Sequence, residues 1–198
     1  MLDKAFLDSV RDQKYHTFGG NNIVSKSDLY DVDWDWITKF IDTHPRKDGD
    51  KLLRDMKPEW IGWLLLRCER RGSIPPWAKT MHSDLKKLFP DNDITIHMFG
   101  GLSDQARSFK IHRDGMDVLY VQLVGEIEWS IWKPKPNVTP QSNMDKPNCT
   151  KLYSNRFTPG RAIYVPRGTY HLVEPYMSRA GFSFGIEGKN PCTYFRDV

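Results

Sequence analysis

The 198 residues, 39% hydrophobic and 13% aromatic, are enough for one sizeable core with a helical annex, and a single domain is expected. The formal charge of +4 arises from 29 basic and 25 acidic residues that are interleaved rather than gathered in long runs, so nucleic-acid binding is neither demanded nor excluded. Cys68, Cys149 and Cys192 are widely spaced and form no CxxC pair, which argues against a disulfide framework or a zinc knuckle and for free thiols in a reducing compartment.

The first residues, MLDKAFLDSVRDQKYH, alternate charged with apolar side chains and lack the apolar stretch of a signal peptide. The longest apolar run, WLLL at 63–66, is too short to cross a bilayer. A soluble, cytoplasmic chain with no membrane association is expected. Residues 1–90 read as a helical cover. Ser27 is placed to cap DLYDVDWDWITKFIDTH, in which Leu29, Trp36, Ile37, Phe40 and Ile41 recur at helical spacing until Pro45. Pro58 opens EWIGWLLLRCERRG, which closes on basic residues and Gly72. Pro75 and Pro76 open WAKTMHSDLKKLF, stopped by Pro90. The aromatics Trp34, Trp36, Trp60, Trp63 and Trp77 are expected to pack on a sheet rather than to form a substrate surface.

After Pro90 the period changes. DITIHMF, SFKIHRD, DVLYVQLV, EIEWSIW, CTKLYS, RAIYV, TYHLVE and SRAGFSFGI are short, rich in β-branched or aromatic residues, and divided by Gly, Pro, Asn and Asp. Eight such strands predict an antiparallel sandwich or barrel over 91–198. The stretch KPKPNVTPQSNMDKPN, 133–148, carries four prolines and reads as an exposed excursion.

Two stretches carry chemistry. In FKIHRDGMDVLYVQLVGEIEW, His112 and Asp114 are separated by one residue, so an extended chain projects both from one face. In TPGRAIYVPRGTYHLVEP, Gly160, Pro166, Gly168 and His171 outline a strand, a tight turn and a histidine on the returning strand. The second segment resembles the second motif of the cupin superfamily, whose histidine is a metal ligand. The first resembles the HxD strand pair of Jumonji-C and related cupin-like 2-oxoglutarate oxygenases, with Gln122, Gly125 and Trp129 following in register.

The resemblance spans about residues 91–187 and implies a mainly β, double-stranded β-helix (jelly roll) that binds Fe(II) through His112, Asp114 and His171. Two imidazoles and one carboxylate leave octahedral positions open for a bidentate 2-oxoacid and dioxygen. The implied reaction decarboxylates the cosubstrate 2-oxoglutarate to succinate and carbon dioxide and hydroxylates a substrate. The resemblance points to a protein side chain, with nucleic acid or a small molecule as alternatives. In such relatives a basic residue some way after the first ligand pairs with the distal carboxylate of 2-oxoglutarate, but here Ile127 occupies that place. Arg179 resembles the anchor of other 2-oxoglutarate oxygenases, with Ser183 as a hydroxyl partner, and a guanidinium suits a carboxylate bidentately. Lys110, two residues before His112, is the second candidate. Tyr120 and Gln122 share a strand face as pocket-lining groups, Phe109 either contacts the cosubstrate or packs in the core, and Trp129 packs beneath the site. His97 reads as a structural histidine that could also line the pocket. The rival readings are a metal-binding cupin with chemistry independent of 2-oxoglutarate and a non-catalytic binding or assembly module.

Overall fold

The strand run after Pro90 forms as its alternation predicts. The computed structural model describes residues 2, 4–18, 24, 28–29, 32–43, 63–67, 74–106 and 109–188. Eleven strands are described: β1 (His16–Thr17), β2 (Trp63–Arg67), β3 (Asp93–Gly101), β4 (Ile111–His112), β5 (Asp117–Val124), β6 (Ile127–Pro134), β7 (Asn143–Met144), β8 (Cys149–Phe157), β9 (Ala162–Val165), β10 (Tyr170–Pro175) and β11 (Arg179–Glu187). They make a six-stranded sheet in the order β1-β9-β5-β11-β3-β2 and a five-stranded sheet in the order β7-β4-β10-β6-β8, with antiparallel pairing throughout. The fold is the expected double-stranded β-helix.

Side-chain alternation assigns each face. On β5, Leu119, Val121 and Leu123 join a core with Phe182, Phe184 and Ile186 of β11 on the outer side of the larger sheet. The helices α1 (Lys4–Arg11), α2 (Trp34–Thr43) and α3 (Pro76–Leu88) contribute Phe6, Ile37, Phe40, Trp77, Met81 and Leu85 to the same core. Trp36 and Trp77 pack on Phe182, the latter at 5.8 Å between ring centroids, which is the packing role expected of them. A second core of Val118, Tyr120, Ile127, Trp129, Ile131, Phe157, Ile163 and Val165 lies between the sheets. It is bounded on one side by the β11 face that carries Arg179, Gly181, Ser183 and Gly185. Small residues there leave room for a cavity.

The front third of the chain differs from a purely helical reading. Residues 63–67 are a strand, β2, paired with β3, rather than the middle of a helix. An uninterrupted apolar run does not by itself separate a buried helix from a buried strand, and here the open edge of β3 decides it. Likewise β1 pairs with β9. α2 begins later than expected: Asp33 accepts a hydrogen bond from the Trp36 backbone N–H at 2.8 Å and caps it. Ser27, His44, Pro45, Pro58, Trp60, Cys68, Gly72 and Cys192 lie outside the described residues. Cys149 is a buried free thiol. The excursion after β6 is largely exposed but returns to the sheet as β7, where Met144 is buried beside β4. No helix among the described residues is long and apolar enough to cross a membrane.

Candidate metal centre and its cavity

His112 and His171 are cross-strand partners on β4 and β10, which places their rings 4.3 Å apart, and Asp114 follows β4 by two residues. The Asp114 carboxylate reaches both imidazoles, Oδ1 at 3.8 Å from His112 Nε2 and Oδ2 at 3.5 Å from His171 Nε2. One donor atom from each of the three residues falls within 4.8 Å of the others. This is the only such cluster of His, Cys, Asp and Glu among the described residues.

Hydrogen bonds set the tautomers. His112 Nδ1 lies 2.9 Å from the Lys110 carbonyl and His171 Nδ1 lies 3.0 Å from the Thr169 carbonyl. A carbonyl only accepts, so each Nδ1 carries its hydrogen and each Nε2 presents a lone pair toward Asp114. Burial, and then the neighbouring His112, pushes the His171 pKa down to about 4 against the opposing pull of Asp114. His171 is therefore neutral at pH 7, the state a ligand requires. Trp129 stacks on its ring at 5.2 Å, as expected of a residue beneath the site.

The turn before His171 is held by backbone geometry. Gly168 has φ +76°, and the Thr169 N–H donates to the Pro166 carbonyl at 3.2 Å, closing a four-residue turn that needs the left-handed region at its third position. The Gly168 N–H also donates to the Asp114 carbonyl at 2.9 Å, tying the turn to the other ribbon.

The donors open into a cavity of about 270 Å³ whose lining includes Phe99, Met116, Val118, Ile127, Trp129 and Val173, together with Arg179 and Ser183. Arg179 is 7% exposed, and its Nη1 and Nη2 donate to the carbonyls of Ser103, at 3.1 Å, and Ala106. No carboxylate among the described residues forms an ion pair with it, and burial lowers its pKa from the usual guanidinium value. Five N–H donors on a buried cation, two of them met by neutral carbonyls, leave capacity for an anion.

The remaining expected residues are distributed as follows. Ser183 faces the cavity. Phe109 lines its mouth, 39% exposed, with its ring 4.9 Å from that of His112. His97 also lines it. Tyr120 lines the cavity and donates to Gln122 Oε1 at 2.7 Å, while Gln122 Nε2 donates to the carbonyls of Val124 and Gly125. Gln122 thus stands behind Tyr120 and uses up its proton. Lys110 is outside the cavity, exposed, with Nζ 2.9 Å from Asp145. The sequence reading passed over Asp117 and Arg167, a buried ion pair at 2.9 Å beside the turn. Their only signal was position, one at a strand start and the other inside the Pro-x-Gly turn.

Residues 95–194 match the JmjC domain family. The chain belongs to that family. No curated protein matches the chain. Among solved structures, the JmjC chain is similar to YcfD, a ribosomal oxygenase from Escherichia coli, in complex with cobalt and 2-oxoglutarate. The TM-score is 0.60 at 17% identity, over 93% of this chain and 52% of that one. It is also similar to SnoK, a non-heme alpha ketoglutarate dependent carbocyclase from nogalamycin biosynthesis, with a TM-score of 0.61 at 10% identity over 94% of this chain and 84% of that one. At these identities the likeness concerns the fold, and the chain spans about half the length of the YcfD structure.

Proposed function

We propose that this JmjC chain is an Fe(II)- and 2-oxoglutarate-dependent oxygenase in which His112, Asp114 and His171 hold the iron and Arg179 pairs with the distal carboxylate of 2-oxoglutarate. The observation that carries the reading is that a buried arginine with no carboxylate partner among the described residues shares one cavity with a two-imidazole, one-carboxylate donor set. That donor set suits non-haem iron, and YcfD, with the same fold, is described in complex with cobalt and 2-oxoglutarate. Iron bound there with 2-oxoglutarate and dioxygen supplies the oxidising power to hydroxylate a C–H bond, with succinate and carbon dioxide as coproducts.

The chain's own part is positional. His112 and His171 each present a neutral Nε2 because their Nδ1 hydrogens are committed to carbonyls, and Asp114 offsets the charge of a divalent ion. Arg179 offers an anion its unused donors, Ser183 adds a hydroxyl, and the Tyr120–Gln122 hydrogen bond fixes the wall between them. Phe99, Ile127, Trp129 and Val173 exclude water, which strengthens each of these interactions. The substrate we infer is a protein side chain, a reading supported by the name ribosomal oxygenase carried by YcfD. Phe109 at the mouth, the 133–148 excursion and the helical cover are the surfaces placed to select it.

Anaerobic titration with Fe(II) and 2-oxoglutarate tests this. The expected result is the weak visible metal-to-ligand charge-transfer band, absent in Arg179→Met although iron still binds. Unchanged cosubstrate affinity in Arg179→Met takes the anchor away from Arg179. Iron binding without the band in the parent chain transfers the site to chemistry independent of 2-oxoglutarate, and no binding at all leaves a non-catalytic module.

A further inference from the structure

The ribbon that carries Asp114 and the turn that precedes His171 are joined by a carboxylate outside the cavity. Asp117, first residue of β5, is 3% exposed, and three donors converge on it. The Tyr164 hydroxyl donates to Oδ2 at 2.9 Å, and the backbone N–H and Nε–H of Arg167 both donate to Oδ1 at 2.9 Å. Arg167 is nearly as buried as its partner. Asp117 follows Asp114 by three residues, and Arg167 is the second residue of the turn whose next strand begins with Tyr170 and His171. Just beyond, the Gly168 N–H donates to the Asp114 carbonyl, so the turn meets the first ribbon at two points.

Burying an ion pair costs several kcal/mol in desolvation, and apolar residues of similar volume often stabilise a fold at least as well. What the pair adds is direction. Arg167 gives Asp117 both a side-chain and a main-chain N–H, so the carboxylate fixes where the turn backbone lies, not merely that it is packed. The Thr169 carbonyl that orients His171 Nδ1 belongs to the same turn.

We propose that Asp117, acting through Arg167, is a positioning residue for the metal centre: it sets the placement of the His171 imidazole relative to Asp114. This rests on the reading that His112, Asp114 and His171 hold a divalent cation. The test is anaerobic titration of the whole chain with cobalt(II), followed by visible absorption, beside thermal unfolding of the metal-free protein. Asp117→Asn is expected to weaken cobalt binding about 10- to 100-fold, the range for outer partners of metal ligands, and to change the absorption envelope. Tyr164→Phe removes a bond to the same carboxylate but leaves the turn clamped. It is expected to lower the unfolding midpoint while keeping the parent's cobalt affinity and spectrum. The double variant Asp117→Asn/Arg167→Gln removes both charges together, so that no unpaired ion is buried if the single variant fails to fold, and its cobalt affinity is expected to fall as well. The inference is overturned if a folded Asp117→Asn or double variant binds cobalt with the parent's affinity and spectrum, or if Tyr164→Phe weakens binding as much as Asp117→Asn. A parent chain that binds no cobalt overturns this inference and the metal-site reading together.

Discussion

At the scale of single residues the site is governed by which atoms already have partners. The two histidines use the same device, an Nδ1–H given to the carbonyl two residues earlier, Lys110 for His112 and Thr169 for His171. That local pattern leaves both Nε2 atoms as acceptors without help from distant residues. Gly181 shows the opposite case, a residue whose importance is purely steric. A Cβ there would lie 2.0 Å from the Tyr120 hydroxyl oxygen and 2.3 Å from Cζ. The Tyr120 ring has little freedom to retreat, since its hydroxyl is bonded to Gln122 and its face packs 5.3 Å from Trp129. Gly181→Ala is therefore expected to lower the unfolding midpoint and to abolish 2-oxoglutarate binding, because the displaced ring fills the cavity. Thermal unfolding and the titration described above check it, and a midpoint equal to the parent's would show that the ring relocates freely.

At the scale of elements, β6, β8 and the turn after β10 are fastened by one carboxylate. Glu128 accepts hydrogen bonds from Ser154 Oγ, from Tyr176 Oη at 2.8 Å and from Lys151 Nζ at 3.1 Å. The Ser154 bond first, then those from Tyr176 and Lys151, hold its carboxyl below the usual glutamate value against the effect of partial burial. A carboxyl depressed in the folded state stabilises the fold above its unfolded-state pKa, about 4.3, and that stabilisation is lost as pH falls through the lower folded-state value. Glu128→Gln is thus expected to lower the unfolding midpoint at neutral pH, with the gap to the parent closing in acid. Urea denaturation at several pH values measures it, and a gap independent of pH would remove the carboxylate from this role. The strands from β3 to β11, β7 excepted, were legible because alternation and turn residues agree in each. β4, also two residues, was legible only as part of the longer SFKIHRD stretch; β1 and β7 sit in no such stretch, and β2 reads as either element until β3 offers its edge.

At the scale of the whole molecule, the front segment is part of the sheet's core rather than a separate attachment. Phe6 of α1 is fully buried, edge-on to Tyr164 at 5.4 Å and 5.7 Å from Phe18, while β1 covers the edge of β9. Phe6→Ala is expected to cost about 3–5 kcal/mol, the usual range for emptying a well-packed aromatic site. Urea denaturation of the full chain measures this, and a loss below about 1 kcal/mol, the size of a mere surface effect, would show the segment to be loosely docked.

The residues by themselves determined what depends on near neighbours: the HxD pair, the turn before His171, the small or polar inner face of β11 and, through the resemblance these carry, the jelly-roll fold class. They ranked Arg179 ahead of Lys110 but did not exclude Lys110. Alternation put Lys110 on the face of His112, but β4 is only two residues long and Lys110 precedes it, so the side chain turns out to Asp145 while Arg179 lies in the cavity. Nor did they disclose Asp117 with Arg167, which meet across fifty positions of chain. Periodicity reports the direction of a side chain along its own strand. Which group it meets is set by the strand that pairs alongside and by the sheet that closes over it, and only the folded chain decides that.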